Sequence, residues 1–191
     1  LQIAFLLPFG GDKVYVGSHF AIPVIAATLV DFGRLAVGRQ RLFSNRELLL
    51  VGLFGVLPDL LSPHLRLSAR LTSWSHTLWF AAGTLPLLAV LFGRGRRAGR
   101  WRMTAFCWTA ILLHLLADAV SGGIAPLYPL TGFRWGWYLV PWPLWGEIDV
   151  AMLTAMLILM GGTTYWNRRV APCPAPSRRS PEPACIPSLE P

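Results

Sequence analysis

The sequence predicts an all-α fold, an integral membrane bundle of about five helices. Three observations lead there. Hydrophobic residues make up 54 % of the 191 residues and charged ones only 14 %, where a soluble domain carries about 25 % charged residues. Mean hydropathy is +0.50. The apolar residues gather into five stretches and the arginines into the segments between them. A chain of this length makes one domain, with no room for a second large core.

The stretches run over residues 14–33, 47–61, 76–93, 103–121 and 147–166. A spanning helix needs about 20 mostly apolar residues. The first, fourth and fifth satisfy that, the third barely, and the second is short and ends at Pro58-Asp59. A short helix is tolerated where the bilayer thins or neighbours bury its ends. Between the fourth and fifth stretches, residues 122–146 form a loop with Trp135, Trp137, Tyr138, Trp142 and Trp145 among four prolines. That composition suits an aromatic belt at headgroup level. Residues 1–166 form the helical membrane domain. Residues 167–191 hold seven prolines and four arginines and read as a disordered cytoplasmic tail.

Orientation follows from the basic residues. Arg34, Arg39, Arg41 and Arg46, then Arg94, Arg96, Arg97, Arg100 and Arg102, then Arg168, Arg169, Arg178 and Arg179 fall on one side of five spans. Lys13, Arg66, Arg70 and Arg134 fall on the other. Thirteen against four puts the C-terminus in the cytoplasm by the positive-inside rule. The same segregation accounts for the net charge of +8 without nucleic acid as a partner. Cys107, Cys173 and Cys185 have neither metal-binding nor redox spacing.

The ionisable residues inside this apolar chain carry the functional signal. Of four histidines, His19 lies near the outer end of span one, His76 opens span three and His114 lies near the outer end of span four. His64 follows Pro63 in a loop and reads as solvent-facing. Asp59 ends span two, Asp118 follows His114 by four residues, and Glu147 and Asp149 open span five. All but His64 fall at one depth on one side. Residues four apart share a helix face, so the imidazole and carboxylate of "HLLAD" (114–118) can grip one ion. Ionisable groups inside spans are costly and mark function. A set of two or three histidines with one or two carboxylates suits zinc first, with manganese or iron by the same chemistry. His19, Asp59, His76, His114 and Asp118 are the expected metal ligands, holding one or two ions. Taken one by one, His76 could be an interfacial anchor with Ser75 as a helix cap, and Asp59 a residue that ends its helix.

"GSHFAIPV", "GVLPDLLSPH", "TSWSHTLWF" and "HLLADAVSGGIAPLYP" occur in this order over residues 17 to 130. Together they resemble the bacterial inner-membrane proteins called YdjM-like, regarded as metal-dependent hydrolases. The order His, Asp, His, HxxxD is also similar to that of zinc-dependent phospholipase C. The resemblance implies that Asp59, His76, His114 and Asp118 hold a metal, with His19 beside it. It implies a bacterial inner-membrane location. Two departures stand out. The His-Arg-Gly that often precedes the family's Thr-His-Ser is absent, leaving only His64 or Arg70 as substitutes. The later ligands of a three-zinc cluster have no counterpart here.

The expected activity is hydrolysis of a phosphoester in a membrane lipid or lipid-linked substrate at the outer face. A bound ion would lower the pKa of water and polarise the bond under attack. Glu147 or Asp149 would serve as the catalytic base by folding over the mouth. The alternative is a non-catalytic protein whose cluster is a structural metal site or a polar helix-packing contact.

Overall fold

The computed structural model describes residues 16–62, 67–93, 97–141 and 144–170. Five helices form: α1 (Gly17–Ala36), α2 (Asn45–Leu61), α3 (Leu78–Leu91), α4 (Arg97–Ser121) and α5 (Trp145–Val170). Two 3-10 turns, Leu67–Thr72 and Trp74–His76, stand between α2 and α3. Among the described residues the β content is a single bridge, Ile124 to Trp135, that folds the loop after α4 back on itself. His64, Trp142 and the tail beyond Val170 lie outside the described residues. The first residues of the expected tail are helical, because α5 runs on to Val170.

The expected all-α membrane bundle is what forms. Among the described residues three helices are long and apolar enough to cross a bilayer: Gly17–Ala36, Trp101–Ser121 and Trp145–Arg169. The other two are shorter. At a rise of about 1.5 Å per residue, the 17 residues of α2 and the 14 of α3 fall short of a hydrocarbon core about 30 Å thick. Leu49, Leu53, Leu87, Val90, Val150, Leu157 and Ile158 point outward. So much exposed apolar surface is costly in water and at home in lipid.

α1 is the hub. It packs on α2, α4 and α5, while α4 also packs on α2 and α3. Ala21, Val24 and Ala27 of α1, Leu48 and Val51 of α2, and Cys107, Ala110 and Ile111 of α4 fill the seam. Small residues set the α1–α2 distance. A Cβ on Gly52 would meet the Phe20 ring at 2.6 Å, and one on Gly55 would overlap the His19 carbonyl oxygen and stand 2.7 Å from Pro23 Cγ. Close backbone approach through small residues is how helices associate inside a bilayer.

The ends are tied by polar contacts. Ser44 and Glu47 make a reciprocal capping box at the start of α2, satisfying two otherwise orphaned N–H groups. Glu47 also pairs with Arg102 of α4. Asp31, fully buried, accepts from Arg41 Nε at 3.2 Å and from the backbone N–H groups of Leu42 and Phe43. Arg41 in turn donates to Thr164 of α5 at 3.1 Å. One carboxylate thus fastens the α1–α2 connection.

Candidate metal centre

The cluster begins with a break in helical structure. Pro58 lies inside α2, and a proline ring displaces the carbonyl four residues back. The chain then leaves the helix for the two 3-10 turns. Irregular backbone at membrane depth is tolerated only where protein buries it or it lines a cavity. Here the buried Ser75 ties the turns to α2, its hydroxyl donating to Pro58 O at 2.8 Å. Thr77 caps α3, accepting from Phe80 N. The alternative reading of Ser75 as a helix cap does not hold: Ser75 faces α2, and His76 precedes α3 in its own turn.

His76, His114, Asp59 and Asp118 converge. His76 Nε2 lies 3.2 Å from Asp59 Oδ1, 3.3 Å from Asp118 Oδ2 and 3.1 Å from His114 Nε2. His114 Nε2 lies 3.4 Å from Asp118 Oδ2 and 3.7 Å from Asp59 Oδ1. Donors about 2.0–2.2 Å from a tetrahedral ion stand about 3.3–3.6 Å apart. All five separations fall within a few tenths of an ångström of that.

The remaining ring nitrogens set the tautomers. His114 Nδ1 lies 2.7 Å from Gly55 O, a carbonyl that can only accept, so Nδ1 carries the proton. His76 Nδ1 lies 3.1 Å from Ser75 Oγ, whose own hydrogen goes to Pro58 O, and 3.2 Å from Ser73 Oγ, which can donate or accept. The neutral His114 ring, with Nδ1 protonated, turns its Nε2 lone pair inward, and His76 does the same in the tautomer that donates to Ser75. Tying off the outer nitrogen with a carbonyl or hydroxyl is the usual support of a metal-binding histidine. Among the described residues Asp118 Oδ2, buried beside the two Nε2 atoms, has no hydrogen-bond donor, an arrangement that a cation would relieve.

His19 stands beside the four. Its ring stacks on His114 with centroids 4.1 Å apart, and its Nε2 is 3.5 Å from Asp118 Oδ1. His19, His114 and Asp118 form a second group close enough to hold an ion. That group shares His114, whose Nδ1 is already engaged by Gly55.

The structure places the two expected bases elsewhere. Both carboxylate oxygens of Asp149 accept from the first turn of α1, from Gly17 N and Ser18 N at 2.8 Å each. Asp149 therefore fastens α5 to the helix that carries His19. Glu147 is exposed on the first turn of α5.

Arg70 enters the cluster from the first 3-10 turn. Its Nη1 donates to Asp118 Oδ1 at 2.6 Å, and the residue is 5 % exposed. Its guanidinium lies 5.9 Å from the Trp145 ring. Sequence reasoning marked Arg70 only as a stand-in for a missing motif. No periodicity ties a residue in an irregular segment to a carboxylate 48 positions away.

No curated protein and no solved structure matches the chain. The model of the YdjM inner membrane protein family matches residues 4–173. That span takes in every element described above, and the chain belongs to the YdjM inner membrane protein family.

Proposed function

We propose that this protein is a membrane-embedded, metal-dependent hydrolase that acts on a phosphoester of a lipid or lipid-linked substrate at the outer face. The observation that carries the reading is the group Asp59, His76 and His114, three donors close enough to hold one ion, with Asp118 Oδ2 beside it, 3.3 Å from His76 Nε2 and 3.4 Å from His114 Nε2; three ligands leave a position for water, as a catalytic ion requires. A bound divalent ion, zinc before manganese, would lower the pKa of water and polarise the phosphoester. The residues fit one ion rather than two, because the second group borrows His114.

The chain's own residues supply the rest. Gly55 and Ser75 orient the two imidazoles. Asp149 holds the first turn of α1, and with it His19. His19 Nδ1 is buried without a hydrogen-bond partner among the described residues, which leaves it free to take up a proton beside the centre. Asp59 and His19, with side chains 12 % and 11 % exposed, mark the side from which substrate arrives. The basic residues set this end of the bundle outside and the C-terminus in the cytoplasm.

A second reading keeps the cluster and drops the catalysis. Arg70 already places one positive charge on Asp118, so a polar packing cluster could be partly neutralised without metal. Turnover separates the two. The purified protein is loaded with zinc and offered phospholipids and phosphorylated lipid carriers. Release of a phosphate-bearing product that fails in His114→Ala supports hydrolysis. Stoichiometric zinc with no turnover on any phosphoester lipid supports a structural site.

A further inference from the structure

We propose that Arg70 is an anion-recognition residue that makes the loaded centre selective for a phosphate-type group. This rests on the metal reading above.

The argument begins with charge. Two carboxylates, Asp59 and Asp118, meet one divalent ion and two neutral imidazoles, which leaves those five groups without net charge. Arg70 then adds one positive charge, on a residue 5 % exposed. Asp149 makes no ion pair with Arg70 among the described residues; both its oxygens accept from the α1 backbone. An uncompensated buried charge is costly. A singly charged oxyanion removes the excess, whereas a neutral carboxylic ester leaves it.

The second step is hydrogen-bonding capacity. A guanidinium carries five N–H donors. Among the described residues, Arg70 makes one hydrogen bond, to Asp118. Its other N–H groups form a planar fork of the kind that grips phosphate oxygens in pairs. Nη1 anchors the fork on a metal ligand, so an anion held by the remaining N–H groups sits next to the ion.

The third step is space. A Cβ on Gly122 would overlap Arg70 Nη2 and stand 3.3 Å from Arg70 Cζ. Glycine at 122, one residue beyond α4, therefore lets the guanidinium lie against the backbone. The Trp145 ring contacts it from α5. Three elements fix one cation beside Asp118, more than neutralising a carboxylate requires.

The test measures zinc affinity of the full chain in detergent by competition with a chelator, with and without inorganic phosphate. Parallel arms use nanodiscs of phosphatidylglycerol and of a phosphate-free galactolipid. In the wild type, phosphate or phospholipid tightens zinc retention by about tenfold, the scale of one charge-assisted paired contact. Arg70→Gln is compared with its own zinc affinity in the absence of phosphate, and phosphate adds no enhancement to it. Gly122→Ala, which displaces the guanidinium with its charge intact, loses it too. Tightening only in the phosphatidylglycerol arm identifies a lipid phosphodiester, and tightening only with inorganic phosphate identifies a water-borne one. The proposal is overturned if zinc binds and the enhancement is absent in the wild type or equal in Arg70→Gln. A wild type that binds no zinc under any condition overturns the metal reading itself.

Discussion

Gly55→Ala tests whether the α1–α2 crossing builds the centre. The added methyl would stand 2.7 Å from Pro23 Cγ and overlap the carbonyl oxygen of His19. Both obstacles are tied to the α1 backbone, so no rotamer change clears them. Ordinary contact begins at about 3.4 Å, so the helices must separate by at least about 0.7 Å there. Overpacking of this kind costs about 1–3 kcal/mol. The displacement acts on two parts of the centre together. It moves His19 with α1, and it moves the Gly55 carbonyl that fixes His114 Nδ1. Loss of such an outer partner lowers metal affinity by about 10–100-fold. The assay pairs chelator competition for zinc with thermal unfolding in detergent. Gly33→Ala is the control, because a Cβ there meets nothing within 4 Å and alanine favours a helix over glycine by about 1 kcal/mol. The expected result is a lower melting temperature and weaker zinc binding in Gly55→Ala, with neither in Gly33→Ala. Wild-type zinc affinity and melting temperature in Gly55→Ala would refute the reasoning.

Other expectations follow from the same contacts. Asp149→Asn removes one of two acceptors at the start of α1 and lowers stability by about 1 kcal/mol, with zinc affinity changed less than tenfold; complete zinc loss on chelator titration would make Asp149 a ligand instead. Asp31→Asn leaves Arg41 without its carboxylate at a buried site and lowers stability by about 3 kcal/mol, read from thermal unfolding; an unchanged melting temperature would mean the pair is not what fastens the α1–α2 connection. A cysteine placed at Gly132, in the loop after α4, is expected to react with an impermeant maleimide added to intact spheroplasts. Labelling only after lysis would invert the proposed orientation.

The sequence disclosed the cluster's members because short-range geometry announces them. His114 and Asp118 lie one helical turn apart, and a helix fixes that relation before any tertiary contact forms. Asp59 and His76 stand out because apolar surroundings make any ionisable residue conspicuous. The lengths of the elements were legible from the apolar runs, short ones included. α1, α2, α3 and α5 begin and end within about four residues of their expected limits, α4 begins earlier, at Arg97, and the third stretch opens as a 3-10 turn before the helix starts at Leu78. The contact that decides this, Ser75 with Pro58 O, joins residues 17 apart, and neither propensity nor period encodes it. Asp149 shows the same limit. An acid in the first turn of a helix suits that helix's own dipole, and nothing local reveals that it serves the N-terminus of α1, 131 residues away. Gly55 and Gly122 look like ordinary glycines until the partners that need their missing side chains are in place.

The central claim is that the cluster holds one divalent ion. Its most direct test is the metal content of the detergent-purified protein by elemental mass spectrometry, wild type beside His114→Ala and Asp118→Asn. The account predicts about one equivalent of zinc in the wild type, because both possible ligand groups share His114, and its loss in both variants while they remain folded. A wild type that takes up no zinc or manganese after incubation, or variants that keep the wild-type content, would contradict it.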